Sequence, residues 1–322
     1  MKKGLDKLVV YKSDNIDELK IKIKYDFPFN KDMFRLLKKE NLLKQEYYYI
    51  KKGKDYAFFS LYENKMNIFT FGKFELFMKL KVIGYPCSLS NPGYVTNNFN
   101  MMIEYIKSIK GAKLILNVLD NKKYLDYTVG ETLPTCMFNV KYKNIDDYIN
   151  SLRSSYRRRI LKAIKNCESI SISNNGDVYN LYLNTYNKSD YKLEKLERGF
   201  FENVDASKLV FIKDNNLVGF VLLKKNKNKL IFMLCGMDYS IDTTDLYYFM
   251  LYKIIEYAIL NKCDYIDFGQ TSEETKLKFG CYLEKRYFYV HHSNKMLNKI
   301  ASLMKGILEY NYSFPEFNVF KE

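Results

Sequence analysis

The sequence predicts an α/β fold, in the α+β sense of mixed sheets with helices on their faces, built as two domains that share one plan. Three observations predict it. The chain has 322 residues, which suggests two domains of ordinary size. Hydrophobic residues make up 47% of it, enough for each domain to bury a core. An internal repeat runs at an offset of 152 residues: Gly84 meets Gly236, and Ile103-Glu104-Tyr105 meets Ile255-Glu256-Tyr257, with no gap between the anchors.

Both halves present the same elements in the same order. Hairpin-like runs come first, DYAFFSLYE and KMNIFTF in one half, KLVFIKDNNLVGFVLLKK and NKLIFML in the other. The second set turns at Asp214-Asn215-Asn216 and at Asn226-Lys227-Asn228, residues that tolerate positive φ. An apolar strand then ends at a glycine (KLKVIG; LIFMLCG). After a loop comes an amphipathic helix (FNMMIEYIKSIK; LYYFMLYKIIEYAIL), a short turn and another strand (AKLILNVL; CDYIDF). A further strand closes each unit (TCMFNVKY; KRYFYVHH). Between the halves, Ile145 to Asn166 reads as one linking helix, with Asn144 as N-cap, Asp146 and Asp147 in the first turn, and apolar residues at helical spacing. The expected division is therefore 1–143 and 144–322, the second domain beginning with the linking helix 144–166.

Composition narrows the function. The N-terminus, MKKGLDKLVVYKSD, lacks an apolar stretch of signal-peptide length, and no run is long enough for a membrane-spanning helix. The expectation is a soluble, cytoplasmic protein. Cys87, Cys136, Cys167, Cys235, Cys263 and Cys281 show no CxxC pairing and read as reduced core thiols. The only histidines are His291 and His292, so a Ser/His/Asp or Cys/His centre and a zinc site are both disfavoured, and no metal is expected. A formal net charge of +15 points to a polyanionic partner (RNA, an anionic lipid surface or a phosphorylated substrate) or to a lysine-rich solvated surface. Four of the seven arginines fall in one segment: Arg153, Arg157, Arg158 and Arg159. Arginine offers a planar, multidentate fork that lysine lacks, so the clustering is informative.

The most distinctive stretch is YIDFGQTSEETKLKFGC, Tyr265 to Cys281. A buried-looking strand breaks at Gly269 and leaves through Gln270, Thr271 and Ser272. Gly269 lets the backbone turn and approach a ligand, and the polar residues supply donors and acceptors in an apolar wall. Plainer roles compete. Thr271 or Ser272 would cap a short helix SEETKLKF with Glu273 and Glu274 in its first turn, Lys276 and Lys278 would be solvated, and Asp267 would be a hydrogen-bonded core carboxylate.

With these residues in view, the second half resembles the GNAT acyltransferase fold. The whole chain is similar to tandem GNAT proteins of the Fem type, the aminoacyltransferases that build peptidoglycan peptide bridges. Three stretches carry the resemblance: SLRSSYRRRILKA, the strand–helix Gly236–Leu260, and Tyr265–Cys281. It covers most of Ile145–Asn294, and residues 1–140 through topology alone. It implies transfer of an acyl or aminoacyl group to an amine, with the donor in the gap between two splayed parallel strands. The donor is an aminoacyl-tRNA and the acceptor a cell-wall precursor in Fem enzymes; in ordinary GNAT enzymes the donor is acyl-CoA. Either donor would act as co-substrate, with no tightly bound cofactor. By the same resemblance Lys276 matches the lysine that polarises the donor ester, Asp267, Gln270 and Thr271 join it as catalytic candidates, and Phe279-Gly280 matches the end of the motif. The usual Phe-Lys-x-Gly-Phe-Gly reads Thr275-Lys276-Leu277-Lys278-Phe279-Gly280 here, without the first aromatic and the glycine.

Binding of the donor or the acceptor is expected at Arg153, Arg157, Arg158, Gly236, Gly269 and Phe279. A pyrophosphate on the loop GMDYSIDTTDLYY would meet Asp238, Asp242 and Asp245 at the positive end of a helix, which disfavours a standard CoA site. The first half's loop, GYPCSLSNPGYVTNN, has no acid and suits a phosphate or the acceptor. Arg153, Arg157 and Arg158 would clamp phosphates; pairing with acidic surface is the other reading, favoured for Arg159. The apolar stripe of KMLNKIASLMKGILEY, flanked by Lys295, Lys299 and Lys305, is expected to cap the domain core in preference to lying on an anionic membrane. The alternative to an enzyme is a GNAT-like binding module for RNA, anionic lipid or another polyanion.

Overall fold

The computed structural model describes residues 7–21, 28–72, 74–124 and 126–321, so the first six residues of the N-terminal stretch lie outside the described residues. The mixed α/β class holds. Contacts divide the chain into two compact units: 1–133, 193–200 and 285–311 form unit 1, and 134–192, 201–284 and 312–322 form unit 2.

Unit 1 contains β1 (Val9–Ser13), α1 (Lys31–Glu40), β2 (Gln45–Lys52), β3 (Asp55–Asn67), β4 (Phe77–Ile83), β5 (Tyr94–Thr96), α2 (Phe99–Ser108), β6 (Ala112–Val118) and the start of β7 (Thr128–Asn139). Asn30 and Asn98 cap α1 and α2, each accepting a hydrogen bond from the N–H three residues on. The runs DYAFFSLYE and KMNIFTF do not form a hairpin. Asp55–Asn67 is one strand, paired along one edge with β2 and, from Leu61, with β4. Glu63, Asn64 and Lys65 do not take the positive φ a tight hairpin turn needs, and the strand runs on. β4 and β6 are parallel, and their core packs Ile83, Ile115, Phe59 and Tyr48 against Met102, Ile103 and Ile106 of α2.

Unit 2 contains the rest of β7, then α3 (Ile145–Ser151), α4 (Ser154–Asn166), β8 (Ser171–Ser173), α5 (Tyr179–Lys188), the second half of α6 (Arg198–Asn203), β9 (Ser207–Lys213), β10 (Asn216–Asn226), β11 (Lys229–Met237), α7 (Thr243–Leu260), β12 (Tyr265–Asp267), α8 (Glu273–Leu277) and the first residues of β13 (Tyr282–His292). The remainder of β13, α9 (Lys295–Leu303) and α10 (Lys305–Leu308) return to unit 1, where β13 pairs β6. The sheet order in unit 2 is β7-β12-β11-β10-β9-β8. Asp214, Asn215 and Lys227 take positive φ, so both expected turns form where the sequence places them.

The linking segment is two helices, not the one expected over 144–166. Asn144 caps its start as expected, with its side chain accepting from the Asp147 N–H. The helix then breaks: Leu152 and Arg153 are extended, with ψ of 143° and 151°. The C-terminal segment intervenes there. Leu152 bridges Phe320, and the Arg153 N–H donates to the Val319 carbonyl at 2.9 Å. Leu152 and Val319 are buried, so a long-range contact satisfies backbone groups that a continuous helix would have paired locally.

Candidate acyl-transfer site

In unit 2, β11 and β12 run parallel for three residue pairs, Lys229–Tyr265, Leu230–Ile266 and Ile231–Asp267, and then part. β11 continues to Met237 with no strand beside it on that side among the described residues, and at its end the Met237 N–H donates to the Thr185 hydroxyl and its carbonyl accepts from Asn184. Its pairing with β10 slips at the same place. Leu222 faces Leu234 and Leu223 faces Phe232, so Met233 is an extra, bulged residue. Parted parallel strands with a bulge at the parting give a backbone edge able to receive an extended ligand.

β12 leaves the gap through three left-handed residues among four, Gly269, Thr271 and Ser272, with φ of 69°, 63° and 50°. Two buried groups hold this costly turn. Asp267, 2% exposed, accepts from the Gly269 N–H and the Thr135 hydroxyl, both at 3.0 Å, and pairs with Lys229 at 2.8 Å. Burial works to raise its carboxyl, but Lys229 and those donors hold it below the usual aspartate value. Lys276, also 2% exposed, reaches back from α8 and donates to the Gln270 and Thr271 carbonyls at 2.8 and 2.7 Å. Lys276 is thus buried, not solvated. Ser272 occupies the N-cap position of α8, yet neither its side chain nor that of Thr271 makes the capping hydrogen bond.

Four residues beside this turn have no sequence signal that places them there. Tyr247 of α7 bonds Ser272 and lies near Cys235 of β11, with Cys136 and Cys281 close by. Burial keeps its phenol well above the usual range, so it is protonated at neutral pH. Burial likewise pushes the Cys136 thiol up to about 12 and that of Cys235 up to about 11, despite the Lys276 ammonium; neither is a thiolate nucleophile at neutral pH. No sequence spacing signals this cluster, because four separate elements supply it.

The other candidates scatter. Phe279 is fully buried, its ring 5.2 Å from Tyr248 and its carbonyl bonded by the Tyr148 hydroxyl, so it belongs to the core. Gly236 lies in β11 where α5 crosses; a Cβ there would run into the Leu181 carbonyl. Arg153 donates to the Phe320 carbonyl, and Arg158 to that of Ser154. Arg159 pairs with Asp245 at 2.7 Å and stacks on Tyr248, as the plainer reading of it expects. Arg157 is half-buried and has no ion pair among the described residues. At the start of α7, Asp242 accepts from the Thr244 N–H, and Asp245 is held by Arg159 and Asn166. The positive end of that helix is thus already served by carboxylates.

Among solved structures, the chain is similar to a tandem GNAT protein from the clavulanic acid biosynthesis pathway, at 8% identity, covering 89% of this chain and 99% of that one with a TM-score of 0.50. It is also similar to FemX (11% identity, 82% and 91% covered, TM-score 0.46) and to L-PGS from Bacillus licheniformis (7%, 79% and 87%, 0.47). No protein-family model and no curated protein sequence matches. The fold is therefore GNAT-like in tandem. Among the described residues, no helix is long and apolar enough to cross a membrane, and no group of His, Cys, Asp and Glu is placed to hold a metal ion.

Proposed function

We propose that the protein is an N-acyltransferase with one reaction centre in unit 2, at the gap between β11 and β12, and that it passes an activated acyl or aminoacyl group to an amine. The carrying observation is the bulged edge of β11 beyond Ile231. The amine nitrogen attacks the acyl carbonyl, and backbone N–H groups of that edge stabilise the oxyanion. Collapse expels the thiolate or the ribose alkoxide. The amine loses one proton and the leaving group gains one; Tyr247, protonated and next to the gap, is suited to donate it. In this reading Lys276 and Asp267 are positioning residues that fix the turn at Gly269.

The carboxylates at the start of α7 favour aminoacyl-tRNA over acyl-CoA as donor, with Arg157 and Arg158 meeting its phosphates. This would be Fem-type chemistry, with a cell-wall precursor as acceptor. One observation favours the non-catalytic reading: two of the Lys276 N–H groups are already engaged by backbone carbonyls. Thermal shift with acetyl-CoA, charged and uncharged tRNA and a UDP-linked precursor, paired with an assay for acylated amine, tests the proposal. Stabilisation by charged tRNA with product supports it. Stabilisation by acetyl-CoA with product keeps the enzyme and replaces the donor. Binding without product from any donor overturns it in favour of a binding module.

A further inference from the structure

Only the end of the apolar stripe Met296–Leu308 meets a core, where Leu308 packs partly buried against Tyr62, Val82, Leu114 and Phe288; the rest of the stripe does not. No residue of α9 or α10 is buried. Met296, Ile300, Leu303 and Ile307 are 68%, 42%, 78% and 52% exposed. The helix is mounted with its polar side inward. Asn298 accepts from the His292 N–H at 2.8 Å and donates to the Asp126 carbonyl at 2.8 Å. At about 100° per residue, Met296, Ile300 and Leu303 fall on the side opposite Asn298. Lys295 and Lys299 flank that apolar arc on one edge, exposed and without an ion pair among the described residues.

A second apolar element of unit 1 lies beside it. The Phe71 ring is 5.0 Å from that of Tyr310, and a Cβ on Gly72 would lie 3.8 Å from the Ile307 side chain. The chain that follows exposes Phe74 (75%), Leu76 (46%) and Phe77 (51%). Scattered exposed apolar residues are ordinary, but adjacent ones on two elements mark an interaction surface.

We propose that α9–α10 and the 74–77 segment dock unit 1 on an anionic lipid bilayer. Charge complementarity selects this occupant. Unpaired lysines beside an outward apolar arc, on a chain of net charge +15, match anionic headgroups above an acyl boundary. The arc would enter the interface to a depth of ~5–10 Å while the lysines stay at headgroup level. This surface is independent of the reaction proposed for unit 2.

Co-sedimentation of the full chain with vesicles of mixed phosphatidylglycerol and phosphatidylcholine, or of phosphatidylcholine alone, tests the proposal. The full chain should bind the anionic vesicles, and added salt should release it. Leu303→Asp with Ile300→Asp, and separately Lys295→Gln with Lys299→Gln, should each weaken binding about tenfold or more. These side chains are exposed, so the melting temperature should not change, which separates lost docking from lost folding. Equal binding to neutral vesicles, no binding to anionic ones, or a dimer in solution abolished by Leu303→Asp would overturn the proposal.

Discussion

The two units meet the same problem at the point where parallel strands part, and they solve it differently. In unit 1, β4 and β6 part after Ile83 and Ile115, and the following loop folds back over the parting. Gly93 lies so close on Gly84 that a Cβ would fall within the Gly84 backbone. The Ser60 hydroxyl bonds the Gly84 carbonyl at 2.7 Å, Asn117 bonds that of Leu89, and Arg286 that of Ser90. Ser88 donates its N–H and its hydroxyl to Glu194, at 2.7 and 3.1 Å. The loop expected to take a phosphate or the acceptor is thus tied down by the chain's own contacts, with the Ser88 N–H already given to Glu194. In unit 2 the strand itself runs on. Gly84 stands one residue past the last parallel pair, whereas Gly236 stands five past Ile231. A repeat whose anchors align at a constant offset thus yields one closed gap and one edge left open by the longer strand.

The largest effect should come from breaking the closure of unit 1. Gly93→Ala should destabilise it by about 3 kcal/mol or more, because backbone on both sides must move. Gly269→Ala meets only the Phe232 carbonyl at 3.7 Å, so its cost, about 1 kcal/mol, is that of the positive φ. Urea unfolding of both variants checks the contrast; equal losses would mean that the two gaps are built alike.

Lys276→Met should come next. It leaves two partly buried carbonyls without their donor, at about 1–3 kcal/mol in urea unfolding. If Lys276 positions the turn at Gly269, turnover should fall about 100-fold, with a smaller change in donor binding. Unchanged turnover in a folded variant would remove that role.

A pH-dependent effect, absent at pH 4.5, separates the two gap carboxylates by sign. Burial raises Glu194 to about 7, against 4.5 for a free carboxyl. The folded state then binds more protons than the unfolded one between those values, and stability falls as pH rises through that window. Glu194→Gln should raise the melting temperature at pH 8 and leave it nearly unchanged at pH 4.5; the gain is at most about 3 kcal/mol. Asp267 runs the other way. Its depressed carboxyl contributes stability above the ordinary aspartate value of 3.8, and this is lost as pH falls below it. A variant insensitive to pH would break the comparison.

The elements of the second half were legible because local chemistry sets them. Asn144 caps, Asp214-Asn215 turns, and the run from Leu230 to Met237 is continuously apolar, as a strand buried on both faces requires. The turn at Gly269 was legible too, from one glycine followed by small polar residues. What its residues do was not. Lys276 looked equally fit for solvent or substrate until the Gln270 and Thr271 carbonyls closed on it. Tyr247, Cys235, Cys136 and Cys281 meet only after four elements pack, so no spacing announces them. The same limit applies to the break at Leu152, made by residues far along the chain, and to α9, whose stripe specifies amphipathicity but not which way it faces. Sequence by itself determined the short-range terms: propensity, caps, turns and periodicity. The tertiary structure alone decided which partner each buried polar group found and which apolar face stayed in solvent, because those energies depend on segments brought together only by folding.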